Sequence, residues 1–165
     1  MASDAVATKQ QENASAFTFR KYIESGGRTM PTFKEIASIY PSVNAQWMRT
    51  FEEQAIVLKE YLKYESGYNY SRDTGIMPFL EQIAKRYCGV EGGSRIFATK
   101  DTWNPMDIVM VKKSQESSIM RTIQELVTIE GMTERGNLTL LNSIMYESLK
   151  SKDMIPISLK AIKLR

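Results

Sequence analysis

Residues 99–111 read TKDTWNPMDIVMV, and the chain runs to its last residue, 165, through 155–165, IPISLKAIKLR. The segment DIVMVKK is a short, apolar, β-branched run bounded by an irregular turn, which is the pattern of a buried strand rather than a helix. IPISLKAIKL has the same character with polar residues at alternate positions. Two strands late in a chain otherwise rich in helical periodicity set the class as α/β or α+β, a small mixed sheet of three or more strands flanked by several helices. Pro105 holds Asn104 extended and interrupts pairing, so Asp107 stands at the mouth of its strand. Side chains two apart in a strand share a face, so Ser158 and Lys160 emerge together if Ile157 and Leu159 point into the core.

Outward from these runs the helices are legible. Trp47, Phe51, Leu58 and Leu62 recur at helical spacing in SVNAQWMRTFEEQAIVLKEYLKYESG, with Ser42 or Asn44 to cap it and Gly67 to stop it. MPTFKEIASIY is a short helix opened at Pro31 or Thr32 and ended by Pro41. IMPFLEQIAKRYCG carries Pro78 in its first turn and Gly89 just past its end. Residues 114–135 form a helix to about Glu130, and NLTLLNSIMYESLKSK forms another with Asn137 as its cap. RIFATK, residues 95–100, alternates as a strand, and YNYSRDTG reads as a polar, aromatic-bearing loop. Residues 1–16 are small and polar, the composition of a disordered arm, which leaves 17–165 as a single domain.

Composition removes several chemistries. The 165 residues contain no histidine and one cysteine, Cys88. No zinc site of the usual kind can be built from them, and His-dependent nucleophilic or general-base mechanisms are excluded. Hydrolytic chemistry here must use carboxylates, lysine, hydroxyls or a hard cation such as Mg²⁺ or Mn²⁺ held by oxygen. A single thiol permits no internal disulfide and fits a reducing, cytoplasmic compartment. No run approaches the roughly eighteen apolar residues of a membrane span. The net charge of +3 permits a polyanionic partner without requiring one.

Asp107 at the strand mouth, followed by Ser158-Leu159-Lys160 in a later strand, resembles the PD-(D/E)XK nuclease superfamily. In that family an Asp on one core strand and a D/E-x-K tripeptide on the next surround the scissile phosphate in a restriction-endonuclease-like core. Here Met106 separates Pro105 from Asp107, and Ser158 stands where an acid is usual. Some restriction enzymes of the superfamily use Ser-x-Lys, with the missing carboxylate supplied by a neighbouring helix. The pair W-N-P-x-D-I and I-S-L-K is also similar to a domain of phage and large-virus proteins. The resemblance implies a Mg²⁺- or Mn²⁺-dependent endonuclease acting on nucleic acid, DNA ahead of RNA. It makes Asp107 the principal metal ligand, the Leu159 carbonyl a second, Lys160 the catalytic cation and Ser158 its neighbour.

A second acid is required, because one carboxylate holds Mg²⁺ poorly. Glu81, on the helix before the first predicted strand, is the first choice, followed by Glu52 and Glu53 and then Glu147. A solvated Glu81–Lys85 pair at i,i+4 accounts for the same residue. Trp103 and Asn104 beside Asp107, and Tyr64, Tyr68, Tyr70 and Arg72 in the aromatic loop, are candidate nucleic-acid contacts. Trp103 as a core lid and the tyrosines as loop packing explain them as well. The family core continues beyond its D/E-x-K strand, whereas only AIKLR follows Lys160. Either the preceding helices replace those elements or the chain is part of a longer protein. The competing function is a non-catalytic nucleic-acid-binding or virion assembly protein of the same fold, for which a homo-oligomeric contact is the expected surface feature.

Overall fold

The computed structural model describes residues 4–63, 65–89, 107–129 and 131–159. These residues divide into two compact units, one of residues up to Gly67 together with Leu159, the other Tyr68–Ser158.

The first unit is helical. Helix α1 spans Asp4–Glu24, α2 Phe33–Ile39 and α3 Met48–Leu62, with a 3₁₀ turn at Ala45–Trp47. Composition predicts an arm through Ala16, yet the chain is helical from Asp4. The reason is tertiary. Ala14 is fully buried in a cluster with Ile36, Val43 and Phe51, so small residues on α1 admit close approach of the other helices. Phe17 stands edge-on to Tyr40, with ring centroids 6.3 Å apart, and Trp47 stacks on Phe51 at 6.2 Å. The expected caps are present: the Thr32 side chain accepts from the Glu35 amide, and Asn44 accepts from the Gln46 amide.

The second unit holds the sheet. Its elements are β1 (Tyr68–Ser71), α4 (Ile76–Tyr87), β2 (Ile108–Lys112), α5 (Glu116–Val127), α6 (Glu134–Lys150) and β3 (Met154–Ile157). The strand order is β1-β2-β3, and both pairings are antiparallel, so the described strands form an antiparallel rather than a mixed sheet in an α+β arrangement. Ile108 aligns with Ile157 and Val111 with Met154 across β2–β3, while Ser71 aligns with Val109 across β1–β2. β2 is buried on both faces, which explains its unbroken apolar sequence. On one face Val109, Val111 and Met154 pack with Leu80 and Ile83 of α4, Ile119 and Ile123 of α5, and Leu141 and Met145 of α6.

YNYS is a strand, not the loop its polarity suggests. Asn69 and Ser71 align with Val111 and Val109, so they lie on the sheet face that packs against the helices, and that layer satisfies them. Asn69 Nδ2 donates to Glu116 Oε2 at 2.6 Å, and Ser71 Oγ accepts from the Met77 amide at 2.9 Å. Ser71 therefore caps α4 from a neighbouring strand, because the N-cap position itself is Gly75 and offers no side chain. Asn137 also differs from expectation. Thr133 caps α6, while Asn137 is buried inside it and donates to the Tyr87 carbonyl at the end of α4.

Gly75 has φ +81° and ψ −141°, a region open to glycine almost alone. A Cβ there would lie 3.2 Å from Ser71 Oγ and 3.3 Å from Glu116 Oε1, against both groups that organise the α4 start. Gly75→Ala is expected to cost about 1–3 kcal/mol in denaturant unfolding. An unchanged midpoint would contradict this account of the turn.

Candidate functional site

Asp107 precedes β2, and Ser158 follows β3, so the two flank the last aligned pair, Ile108 and Ile157. The Asp107 amide donates to the Ile157 carbonyl at 2.9 Å. Ile157 is already the register partner of Ile108, so two successive residues face one across the ladder. That is the arrangement of a β-bulge, which re-aims a side chain and ends pairing. Asp107 is half-buried there and Ser158 is exposed.

The same end of the sheet receives the exit of β1. Ser71 aligns with Val109, so Arg72 and Asp73 leave the sheet beside the start of β2. Arg72 Nη1 and Asp73 Oδ1 are 3.1 Å apart. Glu81, on the second turn of α4, is half-buried. Burial pushes its carboxyl above the ordinary range, the Arg72 guanidinium opposes that shift, and the Asp73 carboxylate adds to it. The i,i+4 partner Lys85 is not what bears most on Glu81. A long-range neighbour, Arg72, takes that place, and no local pattern in the sequence signals it.

Lys160, Trp103, Asn104 and Tyr64 lie outside the described residues, as does the strand expected at 95–100. Tyr68 is buried at the far end of the sheet, aligned with Lys112, and its hydroxyl donates to the Lys152 carbonyl at 2.8 Å. It belongs to the core and does not offer a ring for base stacking. Tyr70 is a half-buried strand residue aligned with Met110. Of the loop's nucleic-acid candidates, Arg72 alone shares the Asp107 end. Of the reserve acids, Glu52 and Glu53 are on α3 of the first unit, where Glu53 takes Arg49 at 2.8 Å, and Glu147 is exposed on α6. Cys88 is buried, and its thiol is pushed up to about 11 by burial and by the nearby Glu134 carboxylate, so it stays protonated and is a poor nucleophile.

Among the described residues no three carboxylate or thiol side chains approach closely enough to cage a cation. No described helix is long and apolar enough to cross a membrane. No family model matches the chain, and searches of curated proteins and of solved structures return no match.

Proposed function

We propose that the chain is a nuclease-like domain of phage or viral origin that acts in the host cytoplasm on phosphodiester bonds, in DNA ahead of RNA. One observation carries the reading: antiparallel β2 and β3 end together, bringing Asp107 and Ser158, 51 positions apart in sequence, to the two sides of one terminal pair. Lys160 follows Ser158 by two residues, the spacing of the resembled tripeptide.

In this reading the Asp107 carboxylate, on a strand end fixed by its amide's bond to the Ile157 carbonyl, would hold a divalent cation together with Glu81. When bound, Mg²⁺ or Mn²⁺ neutralises the scissile phosphate and makes water a better nucleophile. The Ser158 hydroxyl orients the attacking water through a hydrogen bond. The Lys160 ammonium stabilises the charge that develops on the phosphoryl oxygens. Arg72, at the same sheet end, is placed to take a neighbouring phosphate once it exchanges Asp73 for it.

Incubating the protein with plasmid or single-stranded DNA and Mg²⁺ or Mn²⁺ tests this. Wild type is expected to cleave, and Lys160→Ala to lose about 10²–10³-fold, the usual cost of one transition-state charge partner. Asp107→Ala is expected to lose at least as much. Equal rates in all three proteins would trace the activity to a contaminant and end the proposal. The competing reading is a non-catalytic nucleic-acid-binding module. Its signature is metal-independent DNA binding without cleavage.

A further inference from the structure

The opposite end of the sheet gathers cations from two distant stretches of sequence. β2 ends at Lys112 and is followed by Lys113; α6 ends at Lys150, and Lys152 lies in the turn before β3. The Lys112 amide donates to the Asp153 carbonyl at 2.8 Å, which brings the two turns together. Four lysines therefore share one end of the domain with Asp153, and Glu147 stands one helical turn back on α6. Asp153 is committed locally: its Oδ1 is 3.4 Å from Lys112 Nζ, and its Oδ2 accepts from Ser151 Oγ at 2.9 Å. Lys113 and Lys150 are exposed.

Lys152 adds a second, independent observation. It sits just past the C-cap of α6 with φ +62°, a position at which glycine is the usual residue. Its amide bonds to the Leu149 carbonyl at 3.0 Å and its own carbonyl accepts from the buried Tyr68 hydroxyl, so the core holds this strained conformation in place. A β-carbon costs on the order of 1 kcal/mol there relative to glycine. The turn thereby fixes where Lys152 stands relative to Lys112 and Lys150.

We infer that Lys113, Lys150 and Lys152, backed by Lys112, bind the sugar-phosphate backbone of nucleic acid as an anchor remote from Asp107. The inference rests on the reading of the domain as nucleic-acid-directed and is independent of catalysis. Five residue steps along β2 separate Lys112 from Asp107, about 17 Å at strand rise. That is the length of roughly five base pairs of duplex, so one backbone can reach both ends of the sheet.

The test is anisotropy of a short labelled duplex against salt concentration for the full chain, Lys152→Gly, and the double variant Lys113→Glu/Lys150→Glu. Each phosphate contact removed is expected to lower the log–log salt slope by about 0.9, so Lys152→Gly loses about 0.9 and the double variant about 1.8 or more. Lys152→Gly is further expected to melt at or above the wild-type temperature, which separates lost binding from lost folding. Unchanged slopes in both variants overturn the anchor, as does a loss confined to anionic vesicles with duplex binding intact. Slopes that fall in a protein without cleavage keep the anchor and remove the nuclease. Cleavage that depends on Asp107 while the slopes stay unchanged does the reverse.

Discussion

Leu80→Ala is expected to destabilise the protein by about 2–5 kcal/mol, read as a lowered denaturant midpoint by circular dichroism. Leu80 is fully buried on α4 and belongs to the cluster that joins this helix to Val109 and Val111 of β2 and Ile123 of α5. Truncation removes its transfer energy and leaves a cavity that three helices and a strand cannot readily close. Whole domains are stable by roughly 5–15 kcal/mol, so the variant gives up a large share of that margin. The matched control is Leu126→Ala on α5, where the side chain is 40% exposed and the expected change is within about 0.5 kcal/mol. Equal losses at the two positions would mean that the helical layer does not pack on β2 as described.

The parts of the fold legible in sequence were those whose burial is written as periodicity. Phe51 and Leu62 of α3, and Phe79, Leu80 and Ile83 of α4, recur at helical spacing because one stripe of each helix is covered. β2 was legible because a central strand covered on both faces needs no polar alternation. α1 was hidden for the opposite reason. What it buries near its middle is Ala14 and Ser15, and these small residues carry little hydropathy signal although they allow tight packing. β1 was hidden because the residues it turns toward the helices are Asn69 and Ser71. They are tolerated there by Glu116 and the Met77 amide, partners 47 and 6 residues away that no local window joins to them.

The candidate site divides in the same way. The strand-mouth argument finds Asp107, and the β2–β3 ladder brings it and Ser158 to one end; β3 stops at Ile157, however, so Ser158 lies past the strand and strand alternation does not set its direction. The bulge at Asp107 depends on its register with β3, which the sequence around Asp107 does not contain. Glu81 stands out in the sequence only by its place on the helix before the strand expected at 95–100. Its electrostatic partners, Arg72 and Asp73, come from the bend that follows β1, outside the helix that carries Glu81. The lysine end escaped notice because Lys112–Lys113 and Lys150–Lys152 are separated by most of α5 and α6, and thin spacing along a chain conceals a cluster made by topology.

Metal and nucleic acid are expected to bind cooperatively, with the coupling carried by Asp107. In the proposed site Mg²⁺ is held by one or two carboxylates together with substrate phosphates, so binding in the absence of nucleic acid should be weak. A phosphate beside Asp107 supplies the missing negative charge and oxygen donors. With Lys160→Ala protein to slow cleavage, an ordinary duplex at saturation should then tighten the apparent Mg²⁺ affinity by about 5–150-fold, the range of ordinary site–site coupling. Linkage requires Mg²⁺ to tighten the duplex by the same factor, so titrations run in both directions check each other. Asp107→Asn removes a negative charge from the phosphate's neighbourhood while keeping the side chain's shape. Without metal it should bind duplex as well as or better than wild type, and added Mg²⁺ should no longer help. A Mg²⁺ affinity indifferent to duplex would sink the shared site, and so would an Asp107→Asn protein that retains the full coupling. Either result would leave Asp107 as a carboxylate that ends a strand, with its bulge a device of folding alone.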